Sequence, residues 1–383
     1  MSVQVEPEAA APGEPGDNRR RIVYLLGAGA TQGCASFRGS VQRIVMPGLI
    51  DELAQSMRDL VDREYEGDAG ITRLVNNVVD EDTDFEQLIT FLEDAPSDKH
   101  KSFAAELKVI FSTVLRHRLA EVRDELGPKH SELYAVLVDM HDVPAFEEEL
   151  VGFLTLNYDV FLEHAIENTL GYGVDYGVAL QPTTGRERRI RVLKLHGSFG
   201  WASGWPIAEA HAESPGLWIP PGIRKAKSEY PFNAIWGLAR EMLDCDVLRI
   251  IGCNLSPNDW DLVSLLFTSM HAHAVDGPYE VEVIAGPETA QRIAQSFPYL
   301  DVQSILEIPE IGPQVVAENL GSEPIAFSKL TDEQRGEVAR NAQGKISNPF
   351  YYWLTVKGEL MNRDLPSLHT PSTIFSEFVA SAT

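Results

Sequence analysis

Cysteine is scarce. The 383 residues hold three, Cys34, Cys245 and Cys253, far apart in the chain. That spacing builds neither a disulfide framework nor a C-x-x-C zinc pair. Long apolar runs are missing as well: no stretch approaches the roughly 18 uninterrupted apolar residues that span a membrane. The segment MSVQVEPEAAAPGEPGDNRR (1–20) lacks the apolar h-region of a secretory signal and reads as a disordered tail. These absences lead to the expectation of a cytoplasmic chain. Positive charge is in short supply too, with 32 Lys and Arg against 57 Asp and Glu, a formal net charge of −25. Phosphate backbones are held by clustered cations, so direct nucleic-acid binding is not expected. The basic run GRERRIR (185–191) reads as a solvated hairpin or strand edge. No GxxxxGK[ST] loop is present, so an ATPase of that class would have to be another subunit.

What is there suits an ordinary buried core: 44% of residues are hydrophobic and 23% charged. Short apolar runs at 21–26, 151–156, 191–195, 247–252 and 279–285 read as strands. They alternate with helical or loop segments, which predicts an α/β fold. Its centre is a Rossmann-like parallel sheet with helices on both faces. Helical periodicity fills about 49–150, an insertion after the first strand, and Gly127-Pro128 closes its longest helix. Residues 311–383 read as a C-terminal helical and aromatic extension. In it, Thr331 caps an exposed helix and NPFYYWL (348–354) docks onto the core or another subunit.

The candidate chemistry sits where strands end. GAGATQG (27–33) follows the first strand, and its glycines let backbone N–H groups approach a phosphate. A tight turn without ligand would need glycines too. On the ligand reading, Gly29→Val weakens binding and leaves the fold mostly intact. Asn157 and His196 each stand just past a strand, and neither is explained well by capping or core packing. Asp159 suits an N-cap. Gly197 beside His196 would admit a ligand. In GCNLSPNDW (252–260), Ser256 and Asp259 have capping-box spacing around Pro257, which explains them but not Gly252 and Asn254. Gly286 marks a fifth strand end.

As an ordered set, GAGAT, LNYD, KLHGS and the GCNLS segment resemble the Sir2 family, and more closely the Sir2-like domains of bacterial anti-phage defence proteins. The resemblance spans roughly 21–310, and DFEQLITFLED (84–94) is similar to a helix in the insertion of those relatives. It implies that Gly27, Ala28, Gly29 and Thr31 surround the phosphates of NAD, with Asp159 beside them. It further implies that Asn157 orients the nicotinamide ribose or a water, that His196 is the general base, and that Gly252, Asn254 and Gly286 line the adenosine side. Two departures stand out. Ser36 of CASFR (34–38) falls where the deacylating members carry Asp, and Asn254 replaces a usual Ser or Thr. Those members also have a four-Cys structural zinc module, which three scattered cysteines cannot supply, so no zinc is expected. The implied activity is therefore hydrolysis of NAD to nicotinamide and ADP-ribose. The alternatives are a non-catalytic NAD or ADP-ribose sensor, and a protein deacylase or ADP-ribosyltransferase. The implied setting is a homo-oligomer, with a HerA-type ATPase as a possible partner subunit.

Overall fold

The computed structural model describes residues 19–40, 42–80, 85–143, 146–178, 186–201, 217–221, 228–256, 258–273, 279–300, 302–305, 348–364 and 374. The expected N-terminal tail, apart from its last two residues, and the helix expected at Thr331 lie outside them.

The strands are β1 (Arg20–Leu26), β2 (Glu148–Thr155), β3 (Gly173–Asp175), β4 (Arg189–Lys194), β5 (Gly197–Ser198), β6 (Leu217–Trp218), β7 (Val247–Ile251), β8 (Glu280–Ile284) and β9 (Val302–Ile305). Seven form one sheet in the order β3-β4-β2-β1-β7-β8-β9, and every pairing in it is parallel. β1 lies at its centre with its last five residues buried, which explains why its sequence is a continuous apolar run. With the edge strand β3 set aside, the remaining order reads 3-2-1-4-5-6 in chain sequence, the doubly wound order of dinucleotide-binding folds. The direction of winding reverses between β1 and β7. β5 and β6 form a separate antiparallel pair.

The connection from β1 to β2 is helical: α1 (Ala28–Phe37), α2 (Met46–Glu64), α3 (Ala69–Asp80), α4 (Phe85–Asp94), α5 (Asp98–Leu126) and α6 (Glu132–Asp139). α5 ends where Gly127 turns to φ 55°, a conformation that a side chain disfavours. Further along are α7 (Phe161–His164), α8 (Phe232–Met242), α9 (Trp260–His273), α10 (Pro287–Ser296) and α11 (Pro349–Asp364). Helices cover both faces of the sheet. Tyr24 and Phe153, partners in register, stack at 5.3 Å on the face where Trp353 of α11 meets Tyr24. The neighbouring Gly152 faces the other way, towards Met242 of α8. The aromatic C-terminal segment thus docks onto its own core. Phe350, Trp353 and Leu354 are buried, Tyr351 stacks on Phe37 at 4.9 Å, and Asn348 Nδ2 donates to Gly33 O at 2.7 Å.

Several elements differ from the sequence expectation. β2 begins at Glu148 rather than Val151, because the charged start of the strand has a buried partner. Arg249 of β7 is fully buried beneath α11, bonded to Glu148 and Glu282 and stacked 5.4 Å from the Trp353 ring. α9 begins at Trp260, later than the capping-box spacing implied. Asp259 directly precedes the helix, with its N–H on Ser256 O at 2.9 Å and its C=O accepting from Val263 at 3.0 Å. β3, β9 and the β5-β6 pair are strands of two to four residues that no apolar run announces. Residues 186–191 of the GRERRIR run lead into β4, which is covered by β3 rather than being an edge strand, and Arg188 and Arg191 pair with Asp142 and Asp175.

Beside Arg249, burial pushes the His141 imidazole down from 6.5 to about 4. The neutral ring accepts the Tyr24 hydroxyl at 2.8 Å. In the unfolded chain His141 regains its ordinary value, so the unfolded state binds the extra proton between about 6.5 and about 4. Its contribution is therefore full above that window and is lost as pH falls through it. From pH 7 to pH 5 the loss from this one group is about 2 kcal/mol. Urea unfolding at the two pH values should show that loss in the wild type and its disappearance in His141→Gln.

Candidate active site at the carboxyl ends of the strands

The glycine turn lies where the winding of the sheet reverses. Gly27 N–H donates to Ile251 O at 3.0 Å and Gly29 N–H to Gly252 O at 2.8 Å, so the start of α1 rests backbone to backbone on the end of β7. A Cβ on Gly27 would lie 2.5 Å from Cys253 Cα, and one on Gly29 would lie 2.8 Å from Gly252 Cα. Gly252 has φ 59°, and a Cβ there would overlap the Ala30 nitrogen. Close packing therefore accounts for all three glycines. This corrects the expectation that Gly29→Val spares the fold. Gly33 has a similar reason, since its missing side chain makes room for Asn348 at 3.0 Å. Ala30 N–H is bonded to Gly27 O at 2.9 Å. Among the first three amides of α1, that leaves the N–H of Ala28, the exposed first residue, for an anion at the positive end of the helix.

Thr31 is the hub of a buried network. Its hydroxyl donates to Asp159 Oδ2 at 2.9 Å and accepts from Asn157 Nδ2 at 3.0 Å. With its only proton committed, it must accept from the Tyr134 hydroxyl at 2.9 Å, whose own proton burial holds in place. Asn157 Nδ2 also donates to Gly27 O at 2.9 Å. Both amide protons of Asn157 thus fix the glycine turn, a packing role the sequence did not reveal. Asp159 accepts Phe161 N–H at 3.0 Å through its other oxygen, from one position before the N-cap residue of α7, Val160, rather than from the cap itself as expected.

Asn157 and His196 leave neighbouring strands at the same level of the sheet edge. Thr155 of β2 pairs with Lys194 of β4, and the two residues lie two positions beyond that pair. The His196 side chain is 5% exposed, and its Nε2, with no hydrogen-bond partner, lies 3.4 Å from Oδ1 of Asp259, itself 11% exposed. Distance alone makes this an ion pair for a protonated ring; its geometry falls short of a hydrogen bond. Asp259 was explained in sequence by capping, and only the folded chain brings it across to His196. Gly197, at φ 76°, does not open space for a ligand: a Cβ there would overlap Leu217 O of β6.

Below this edge lies an ion pair the sequence reading missed. Lys194 Nζ is 2.9 Å from Glu163 Oε1, both side chains are inaccessible, and Lys194 also donates to Asp159 O. Burial raises the Glu163 carboxyl while Lys194 opposes the rise. The pair ties β4 to α7, the bond to Asp159 O adds the loop after β2, and the one visible signal was a lysine ending an apolar strand. An aromatic cluster closes the side of the loop. Tyr158 stacks on Phe199 at 5.2 Å, and Phe111 of α5 meets Tyr158 and Trp218, each at 6.2 Å.

The site residues are not equally joined. Gly27, Gly29, Thr31, Asn157, Asp159 and Gly252 form one connected set, and Ala28 sits at its exposed end. Asn254 is exposed, its C=O accepting from Arg292 at 2.6 Å, and Gly286 caps α10 with open space around it. Both lie on the same sheet edge, but no described contact joins either to the set. A cleft of about 460 Å³ occurs elsewhere, near the opposite end of β2, lined by Arg19, His141, Asp142, Glu149, Leu150 and Arg188. Among the described residues, no three His, Cys, Asp or Glu side chains are grouped to hold a metal, and no helix is long and apolar enough to cross a membrane. The chain matches no protein-family model and no curated protein.

The glycine contacts are directly testable. Gly252→Ala should lower stability by about 3 kcal/mol or more, through both the positive φ and the overlap. Gly286→Ala, with nothing near its new methyl, should lose only the N-cap preference, about 1 kcal/mol or less, in the same urea titration.

Proposed function

We propose that the protein hydrolyses NAD to nicotinamide and ADP-ribose at the edge bearing Asn157 and His196. The observation that carries this reading is a buried imidazole, with Nε2 unbonded, two residues past the end of β4, while a pinned Asn stands two residues past the end of the adjacent β2, on a sheet of dinucleotide-binding order. A histidine that only packed the core would be expected to satisfy both ring nitrogens. NAD carries its own cationic leaving group, so nicotinamide departs as a neutral pyridine and takes the bonding electron pair with it.

The protein therefore has no leaving group to protonate. Its tasks are to hold the ribose, exclude bulk water and place one nucleophile. His196, as a neutral imidazole, accepts the proton lost when water adds to the ribose carbon. Asn157 has both N–H groups committed to Gly27 O and Thr31, so its remaining polar atom, Oδ1, is an acceptor suited to orient that water. The Ala28 N–H and the α1 dipole favour the pyrophosphate. Cytoplasmic NAD depletion in anti-phage defence, by an oligomer partnered with a HerA-type ATPase, is the setting that the Sir2 resemblance supports.

The commitment of the Asn157 amide to the turn also favours a second reading, a module that binds NAD or ADP-ribose without turnover. Nicotinamide release by the wild type, Asn157→Ala and His196→Ala, with NAD affinity and melting curves alongside, separates the two. Each substitution should lower release by about a hundredfold or more. Asn157→Ala should also cost about 1–3 kcal/mol of stability, because it leaves buried partners unbonded. Wild-type rates in both variants would contradict the hydrolase. A wild type that binds NAD and releases nothing would be a sensor.

A further inference from the structure

Asp259 stands where the chain leaves the loop after β7 and enters α9. Its backbone makes the turn into the helix, where Asn258 N–H donates to the Ser256 hydroxyl oxygen at 3.2 Å and Asp259 N–H donates to Ser256 O at 2.9 Å. Asp259 Oδ1 reaches to 3.4 Å from His196 Nε2, across a sequence separation that no local motif spans. Both side chains are about nine-tenths buried or more. Burying a carboxylate is costly unless a donor or cation faces it.

The surroundings make the imidazole a natural counterpart. Tyr158, whose ring centroid is 6.3 Å from that of His196, is held in its neutral form by burial. Cys253, near Asp259, is pushed up to about 12 by burial and is neutral as well. Among the described residues, Glu86 acts on Tyr158, and Arg292, which is fastened to Asn254 O, acts on Cys253. Arg116 lies over the Phe199 ring at 4.5 Å. The approach of Asp259 to the ring is thus the closest charge contact described for His196.

We propose that Asp259 is a positioning residue for His196: it holds the Nε2–H tautomer, which leaves Nδ1 as the atom that accepts the proton. The inference rests on the hydrolase reading for its kinetic consequence, but not for the tautomer. When the ring takes a proton it becomes a cation in a nearly dry site, and the carboxylate beside Nε2 compensates that charge. No proton passes to Asp259, and the proton gained at Nδ1 leaves to solvent with product. The 3.4 Å separation is slack for an N–H···O bond, and catalytic hydrogen bonds are commonly long without substrate and tighten around it.

The test uses the full chain with isosteric Asp259→Asn and chain-lengthened Asp259→Glu. Imidazole ¹⁵N spectra, with His196 assigned by its loss in His196→Gln, report the tautomer without NAD. The wild type should show Nε2 protonated, and Asp259→Asn should lose that single preference. In nicotinamide release, Asp259→Asn should lower kcat by about a hundredfold with KM within about twofold, and Asp259→Glu should recover part of the loss. An unchanged His196 spectrum in Asp259→Asn would overturn the proposal, whatever happens to the melting temperature. So would an unchanged kcat in an active enzyme. A wild type that releases no nicotinamide would sink the hydrolase reading, and the spectra would still decide whether Asp259 sets the ring.

Discussion

No side chain fits between the start of α1 and the end of β7. Gly27 and Gly29 lie on Gly252 and Cys253 with backbone touching backbone, and the Gly29 N–H to Gly252 O bond closes the contact. This contact is where the sheet reverses its winding, so it sets the level at which the flanking loops leave their strands. Thr31 is one turn into α1, and its hydroxyl meets Asn157 and Asp159 because the helix begins this close to β7. A methyl at Gly252 would push α1 outward and take the hub of the network with it.

The helical insertion is part of this construction rather than an appendage. Tyr134 of α6 donates to Thr31, and Phe111 of α5 packs on Tyr158 and Trp218 beside His196. α11 is fastened from the other end of the chain, by Asn348 against Gly33 and by Trp353 over the buried Arg249. The positive charge of Arg249 and the carboxylates of Glu148 and Glu282 join β2, β7 and β8 beneath that helix. Removing one partner would leave a buried charge without compensation, the costly way to break such a cluster.

The principal strands and their carboxyl ends were legible because apolar runs broken by Gly, Asn or His are local signals. GAGAT, LNYD and KLHGS could be placed on one edge from alternation alone. The reasons for the glycines were not legible. A phosphate cradle and a tight helix-to-strand contact demand the same residue, and only the distances to Gly252 and Cys253 separate them. The roles of Asp259, Lys194 and Glu148 were hidden for a related reason. Asp259 read as a cap and Lys194 as a strand residue, and Glu148 fell before the expected strand, while the actual partner of each lies many residues away. The β5-β6 pair, with β3 and β9, is too short for periodicity to register.

The central claim is that the edge beyond β1, β2, β4 and β7 is the nucleotide site. Hydrogen exchange of the purified chain, measured with and without saturating NAD, tests it most directly. Slowed exchange is expected in the segments around Ala28, Asn157 and His196, with no change around Arg19 and Arg188 at the opposite end of β2. Protection confined to that opposite cleft, or no protection anywhere, would contradict it.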